Sequence, residues 1–463
     1  MSLNSKQPGL HRFAVVTAFA TLALIGVGGL VTSRGVGLAV PDWPNTNGYN
    51  MFFFPFSGWV GGVFYEHSHR LVAALVGLLT SALAIWLWIS ETRSKTRFLG
   101  VTIMVLALVL MGVRQMPIYL ALAGLALAMM IVGLYLTFRQ PGSLRWLGVA
   151  AFAAVVLQGV LGGLRVVWLK DQIGIFHAAL AQLFFVMVCA IALFTSRWWA
   201  SVRSLHRNTP ADLNANGRAP AAHEPPVKSA SSPQPSPPKG GEGEDFPIGR
   251  LWGAMRARSS GESLPRWLPR LLFATTLLIF FQLILGAAMR HQHAGLAIPD
   301  FPLAYGKLWP PMDAASVLRY NQHRLEVTDV NPITALQIGL QMVHRLVALA
   351  ILAAVAFSAW AARRQTGAKS RLSRGVMLWL GLVCAQALLG AATIWSDKAA
   401  DIATAHVLGG ALSLALGGML SLISYEKLRP VYPQKPVKAP RGLAAENMAP
   451  ARQQAATPQF RPV

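Results

Sequence analysis

Ten long apolar runs decide what this chain can become, because about 20 apolar residues in a helix cross the hydrocarbon core of a bilayer. They lie approximately at 13–32, 67–90, 98–113, 117–137, 146–164, 174–195, 271–289, 338–361, 375–394 and 402–424. With 54% of residues hydrophobic and only 13% charged, the expected fold is an all-α polytopic membrane protein with about ten transmembrane helices. The third run is short, so a re-entrant segment stays open as its second reading.

A net charge of +23 suggests nucleic acid until the basic residues are assigned to sides of the membrane. With the N-terminus in the cytoplasm, both tails and alternate loops on that side collect 30 of the 41 Lys and Arg. Arg93, Lys95 and Arg97, and the group from Arg363 to Arg374, sit beside run ends. The expectation is therefore cytoplasmic termini and a basic, lipid-facing surface, with no nucleic-acid partner. No cleavage site stands out after the first run, and no Arg-rich, Ser-rich presequence precedes it. The simplest address is a bacterial cytoplasmic membrane. Cys189 and Cys384 both fall inside apolar runs, so no loop disulfide is expected.

A stretch from 204 to 265 is rich in Pro, Ser, Gly and charge and reads as a cytoplasmic linker too polar to fold; the tail 431–463 reads alike. The expected organisation is an N-terminal bundle, 1–203, and a C-terminal bundle, 266–430. These halves repeat each other. Gly37-Leu-Ala-Val-Pro-Asp-Trp-Pro44 returns as Gly295-Leu-Ala-Ile-Pro-Asp-Phe-Pro302, and His69-Arg-Leu-Val-Ala as His344-Arg-Leu-Val-Ala. Gln158-Gly-Val-Leu-Gly-Gly returns more loosely as Gln386-Ala-Leu-Leu-Gly-Ala. Six runs in one half and four in the other are both even, so the repeats are parallel. His69 and His177 are 108 apart, His344 and His406 62 apart; the difference of 46 approximates an extra hairpin near 98–140. Two parallel-repeat four-helix bundles result.

Those four histidines stand in otherwise apolar helices, where an ionisable ring is expensive without a partner. Paired at repeat-equivalent positions on neighbouring helices toward the outer side, they suit two haem irons, one per bundle. Around them the halves differ. Glu66 stands three residues before His69, on the same helical face, where the second half has Gln341. A carboxylate can move protons or stabilise positive charge, whereas an amide only hydrogen-bonds. The first site thus reads as reactive and the second as a permanent cofactor site; a simple helix-start role for Glu66 stays open. Arg70 and Arg345 follow the histidines and either pair haem propionates or snorkel to the interface. His67 faces away from His69, while His291, His293 and His323 read as solvated loop residues, with metal binding as their second reading. Gly159, Gly162 and Gly163 suggest close helix approach. The Pro41 and Pro299 segments suggest rigid loops over the sites, or plain turns.

Through Glu66-His-Ser-His69-Arg, Gln158-Gly-Val-Leu-Gly-Gly, Phe176-His177, Gln341-Met-Val-His344-Arg, Thr404-Ala-His406 and the doubled Pro-Asp loops, the chain resembles the heme A synthases. The resemblance covers both bundles. It implies oxidation of the C8 methyl group of heme O to the formyl group of heme A, with water as oxygen donor. It also implies a resident heme b on His344 and His406, heme O on His69 and His177, and Glu66 beside the oxidised methyl. Heme O synthase, an electron acceptor and a homo-oligomer are possible partners by the same analogy. The chain lacks the outer-loop cysteine pairs of one family type, and its extra hairpin departs from the usual eight helices. Two rivals remain: a di-haem b-type electron-transfer protein, which would not need Glu66 in one bundle alone, and a parallel-repeat transporter, which would be expected to show broken helices.

Overall fold

The computed structural model describes residues 8–113, 115–205, 264–322 and 332–427. The linker expected at 204–265 and the tail expected from 431 lie outside them, apart from 204–205 and 264–265. In the first half the helices are α1 (Pro8–Ser33), α2 (Gly61–Glu91), α3 (Ser94–Met111), α4 (Met116–Arg139), α5 (Arg145–Trp168), α6 (Asp171–Thr195) and the short α7 (Arg197–Leu205). In the second they are α8 (Trp267–His291), the short α9 (Ala314–Gln322), α10 (Ala335–Thr366), α11 (Arg371–Trp395) and α12 (Ala400–Lys427). Among the described residues ten of these are long and apolar enough to cross a membrane, and this is a multi-pass all-α membrane protein. Run three is one such helix, α3, a continuous helix of 18 residues.

Several hydroxyls inside the spans are satisfied without leaving their own helix. Thr17, Thr21, Ser81, Ser358 and Ser413 each donate to the carbonyl four residues back, which removes the cost of an unpaired hydroxyl in hydrocarbon. Glu91 closes the first bundle at the end remote from the loops. It accepts from the backbone N–H groups of Leu144 and Arg145 and from the Ser143 hydroxyl, placing a carboxylate at the N-terminus of α5.

Each half is a ring of four helices. In the first, contacts run α1 to α2 to α5 to α6 and back; in the second, α8 to α10 to α11 to α12 and back. The halves join through α1 against α12 and α6 against α8 and α12, around Ile25, Phe185, Ala411 and Ala415. The first and fourth helices of each repeat therefore make the joint, as a parallel duplication requires. The hairpin α3–α4 lies on the far side of the first ring, α4 along α5 and α3 along α2.

The repeated loops are pinned in the same way. Asp42 accepts from the N–H groups of Asn47 and Gly48, and Asp300 from those of Tyr305 and Gly306. Both loops contain a cis proline bond, Trp43–Pro44 and Phe301–Pro302. Val40 and Ile298 are fully buried plugs beneath them.

Candidate functional site

The paired histidines sit on helices that are diagonal in each ring rather than neighbouring. His69 on α2 faces His177 on α6, and His344 on α10 faces His406 on α12. A diagonal pair addresses one metal from opposite sides, which adjacent helices do less directly. Within each pair the rings are close enough for their charges to interact. His69 and His177 line one cavity of about 650 Å³, within the ordinary range for small-molecule sites.

A glycine of a neighbouring helix lies against every one of the four rings. A Cβ built on Gly28 would come within 3.0 Å of His69 Cε1, and one on Gly390 within 3.0 Å of His406 Cε1. Gly162 and Gly286 stand 3.4 Å from His177 and His344 by the same measure. In three of the four cases a glutamine one turn earlier clamps the same helix pair. Gln158 donates to His177 O at 2.9 Å, Gln282 to His344 O at 2.9 Å and Gln386 to His406 O at 2.7 Å. The fourth position is Leu24, and His69 has no such clamp. This Gln-x-x-x-Gly spacing is visible in the sequence at Gln158, Gln282 and Gln386, and two of its copies fall in the Gln158 and Gln386 repeat segments.

The imidazoles suit iron. Among the described residues no group of three or more His, Cys, Asp or Glu converges, so the candidate metal positions are pairs. Two axial ligands suffice for a metal whose remaining positions are filled by a macrocycle. His406 Nδ1 stands 3.1 Å from the Gln386 carbonyl, which can only accept; Nδ1 then carries the proton and Nε2 the free lone pair.

Glu66 is 4% exposed, and both its oxygens are engaged while it lines the cavity. Oε2 accepts from Val40 N–H at 2.8 Å and Oε1 from Arg70 at 2.8 Å. Gln341, 2% exposed, holds the matching loop by accepting from Ile298 N–H at 2.8 Å and donating to the Ile298 and Gly295 carbonyls. A carboxylate has no N–H to give, so Arg70 covers the Val40 carbonyl instead. Arg70 also donates to the Asp42 and Asn45 carbonyls, and Arg345 to those of Asp300 and Leu303. Both arginines thus spend their donors largely on loop carbonyls. Neither expectation, propionate pairing or snorkelling, included this role, because its partners lie 25 to 45 residues away.

Other residues stand differently from their sequence reading. His291 ends α8, with its ring against Gly174 of α6, and lines the cavity instead of facing solvent. His293 is exposed, and His323 lies outside the described residues. His67 is buried with Nδ1 3.0 Å from Thr46 Oγ1, between the rings of Phe54 and Trp59. Gly159, Gly162 and Gly163 receive side chains, namely Met111, His177 and Trp43, rather than a helix backbone. The Trp43–Pro44 loop does cover the cavity, since Trp43, Pro44 and Asn45 line it.

Residues 249–417 match the family described as "Cytochrome oxidase assembly protein". The protein named heme A synthase in Geobacillus kaustophilus (strain HTA426) is 23% identical over 94% of this chain and 95% of its own length. The chain is thus similar to proteins named heme A synthase, over nearly its whole length in this case. The protein of that name from Shouchella clausii (strain KSM-K16) is 38% identical over 20% of this chain and 30% of its own length. The one from Caulobacter sp. (strain K31) is 31% identical over 30% and 37% respectively. This chain thus spans about a third of the length of these two heme A synthases where it matches them.

The glycine cradles give a direct test. Gly390→Val would put a branched side chain into the His406 ring, and it is expected to lower haem content at least about tenfold, since loss of a supporting partner alone costs metal sites about 10–100-fold. Gly381→Val, on the same helix with nothing within 4 Å of its Cβ, should leave haem content unchanged. Absorbance of the purified proteins reads both.

Proposed function

We propose that this chain is a heme A synthase, taking heme O between His69 and His177 and oxidising its C8 methyl group to a formyl group. The observation that carries the reading is the inequality of the two sites: the imidazole pair that lines the cavity has a buried carboxylate on its wall, and the other has an amide at the matching position.

The net change is methyl plus water to formyl, releasing four protons and four electrons to a membrane electron acceptor. A heme b held by His344 and His406 supplies one-electron redox chemistry when bound. Glu66 is fixed by Arg70 and the Val40 amide, so it presents a stationary negative charge toward positive charge developing at the substrate. The Trp43–Pro44 loop and the apolar cavity wall keep bulk water away. His177 and His69 orient the substrate from opposite sides. The excess of Lys and Arg in the tails and alternate loops supports a cytoplasmic side for both termini, with the histidine sites toward the opposite face. Heme O synthase is the expected source of the substrate.

Cells that make heme O but no heme A, supplied with this gene, should yield extractable heme A. Pigment extracts that still hold only heme O, from cells in which the protein is present and carries haem, would overturn the reading.

A further inference from the structure

Two cations of the first cavity have no role in the chemistry above. Arg165 stands in the last turn of α5, and Arg290 in the last turn of α8, a helix of the other bundle; both line the cavity that holds His69 and His177. Arg165 donates only to the Gly37 carbonyl, at 3.0 Å, and Arg290 to Gly29 O at 2.8 Å and Ser33 Oγ at 2.6 Å. Neither has an ion-pair partner among the described residues. Glu66 and Asp171 lie within electrostatic range of Arg165 without touching it. Arg70, by contrast, is occupied by Glu66 and three loop carbonyls.

A guanidinium left without an anion in a membrane-embedded site is costly, and such residues mark ligand positions. The duplication supplies a comparison. At the positions matching Arg165 and Arg290 the repeats carry Thr393 and Thr32, whose hydroxyls donate to their own helices. Both arginines line the first cavity, and Arg290, one turn after the glycine that lies against His344, is also within electrostatic range of His406. Arg290 donates to Gly29, the residue after the glycine that cradles His69, and to Ser33 one turn further toward the loops. Both arginines thus sit between the imidazoles and the covering loop.

We propose that Arg165 and Arg290 bind the two propionate carboxylates of the porphyrin held by His69 and His177, one arginine coming from each bundle. This rests on the proposed function. A porphyrin of this class has one anionic edge, and this cavity has one cationic end. Charge-assisted pairing of guanidinium with carboxylate supplies both affinity and orientation, and it makes the first site complete only when the second bundle is docked against it.

The test uses full-length protein in detergent, titrated with hemin and, separately, with hemin dimethyl ester, reading absorbance above the haem already present. The wild type should take up hemin in a manner lost in His69→Ala, and bind the ester about tenfold or more weakly. Arg290→Met and Arg165→Met should each weaken hemin about tenfold or more and leave the ester unchanged, with helix content by circular dichroism unchanged as a control on folding. Equal hemin affinity in wild type and variants would overturn the proposal, as would equal losses for hemin and ester. Wild-type protein that takes up no hemin at the His69 site would overturn the proposed function itself, and this inference with it.

Discussion

Protein carrying His406→Ala is expected to purify with at least a tenfold lower content of b-type haem, and His344→Ala with the same deficit. Under the proposed function each ring is one of the two imidazoles that hold the resident iron, and their removal should cost more than the roughly 10–100-fold lost with an outer-shell partner. The effect is specific because the helices need not move. Gln282 and Gln386 bond to the backbone carbonyls of the two histidines, so both clamps survive a change of side chain. Pyridine haemochrome absorbance after purification checks the content, and unchanged absorbance in both variants would dismiss this pair as the cofactor site.

Glu66→Gln should bind haem as the wild type does while heme A formation falls by about 10²–10⁴, the range for a positioned acid–base or charge-stabilising group. The second bundle shows why the fold tolerates the exchange. Gln341 occupies the matching position and pins the matching loop through the same backbone amide. An amide at 66 can keep the Val40 contact and release Arg70 from its ion pair, but it carries no negative charge. Heme A measured per bound haem separates the two effects. A variant that retains wild-type turnover would leave Glu66 as a loop anchor only.

Much of this was legible in the sequence because hydropathy and repeat spacing are local signals. Ten apolar runs became ten helices, and the four histidines fell at equivalent places in two four-helix rings. What stayed hidden depends on which distant groups meet. Arg70 and Arg345 reveal their loop contacts only once a Pro-Asp turn folds back over the helix start. Arg290 reads as an ordinary helix-end cation until α8 is laid against the other bundle. His291 fails for the same reason: a position in sequence beside a loop does not say which helix will stand next to it. The diagonal placement of the imidazoles was likewise invisible, since helix order along the chain leaves the ring order undetermined.

The hairpin α3–α4 gives the two sites different surroundings. Leu108, Met111 and Gly112 at the end of α3 form part of the first cavity's wall, on the flank between α2 and α5. Among the described residues no added element packs on the corresponding flank between α10 and α11, where Leu346, Leu349 and Leu388 are exposed. An apolar substituent leaving the first chamber sideways therefore meets protein, whose shape can be altered by substitution at Leu108 or Met111, whereas the matching flank of the second ring faces acyl chains that any greasy tail can share.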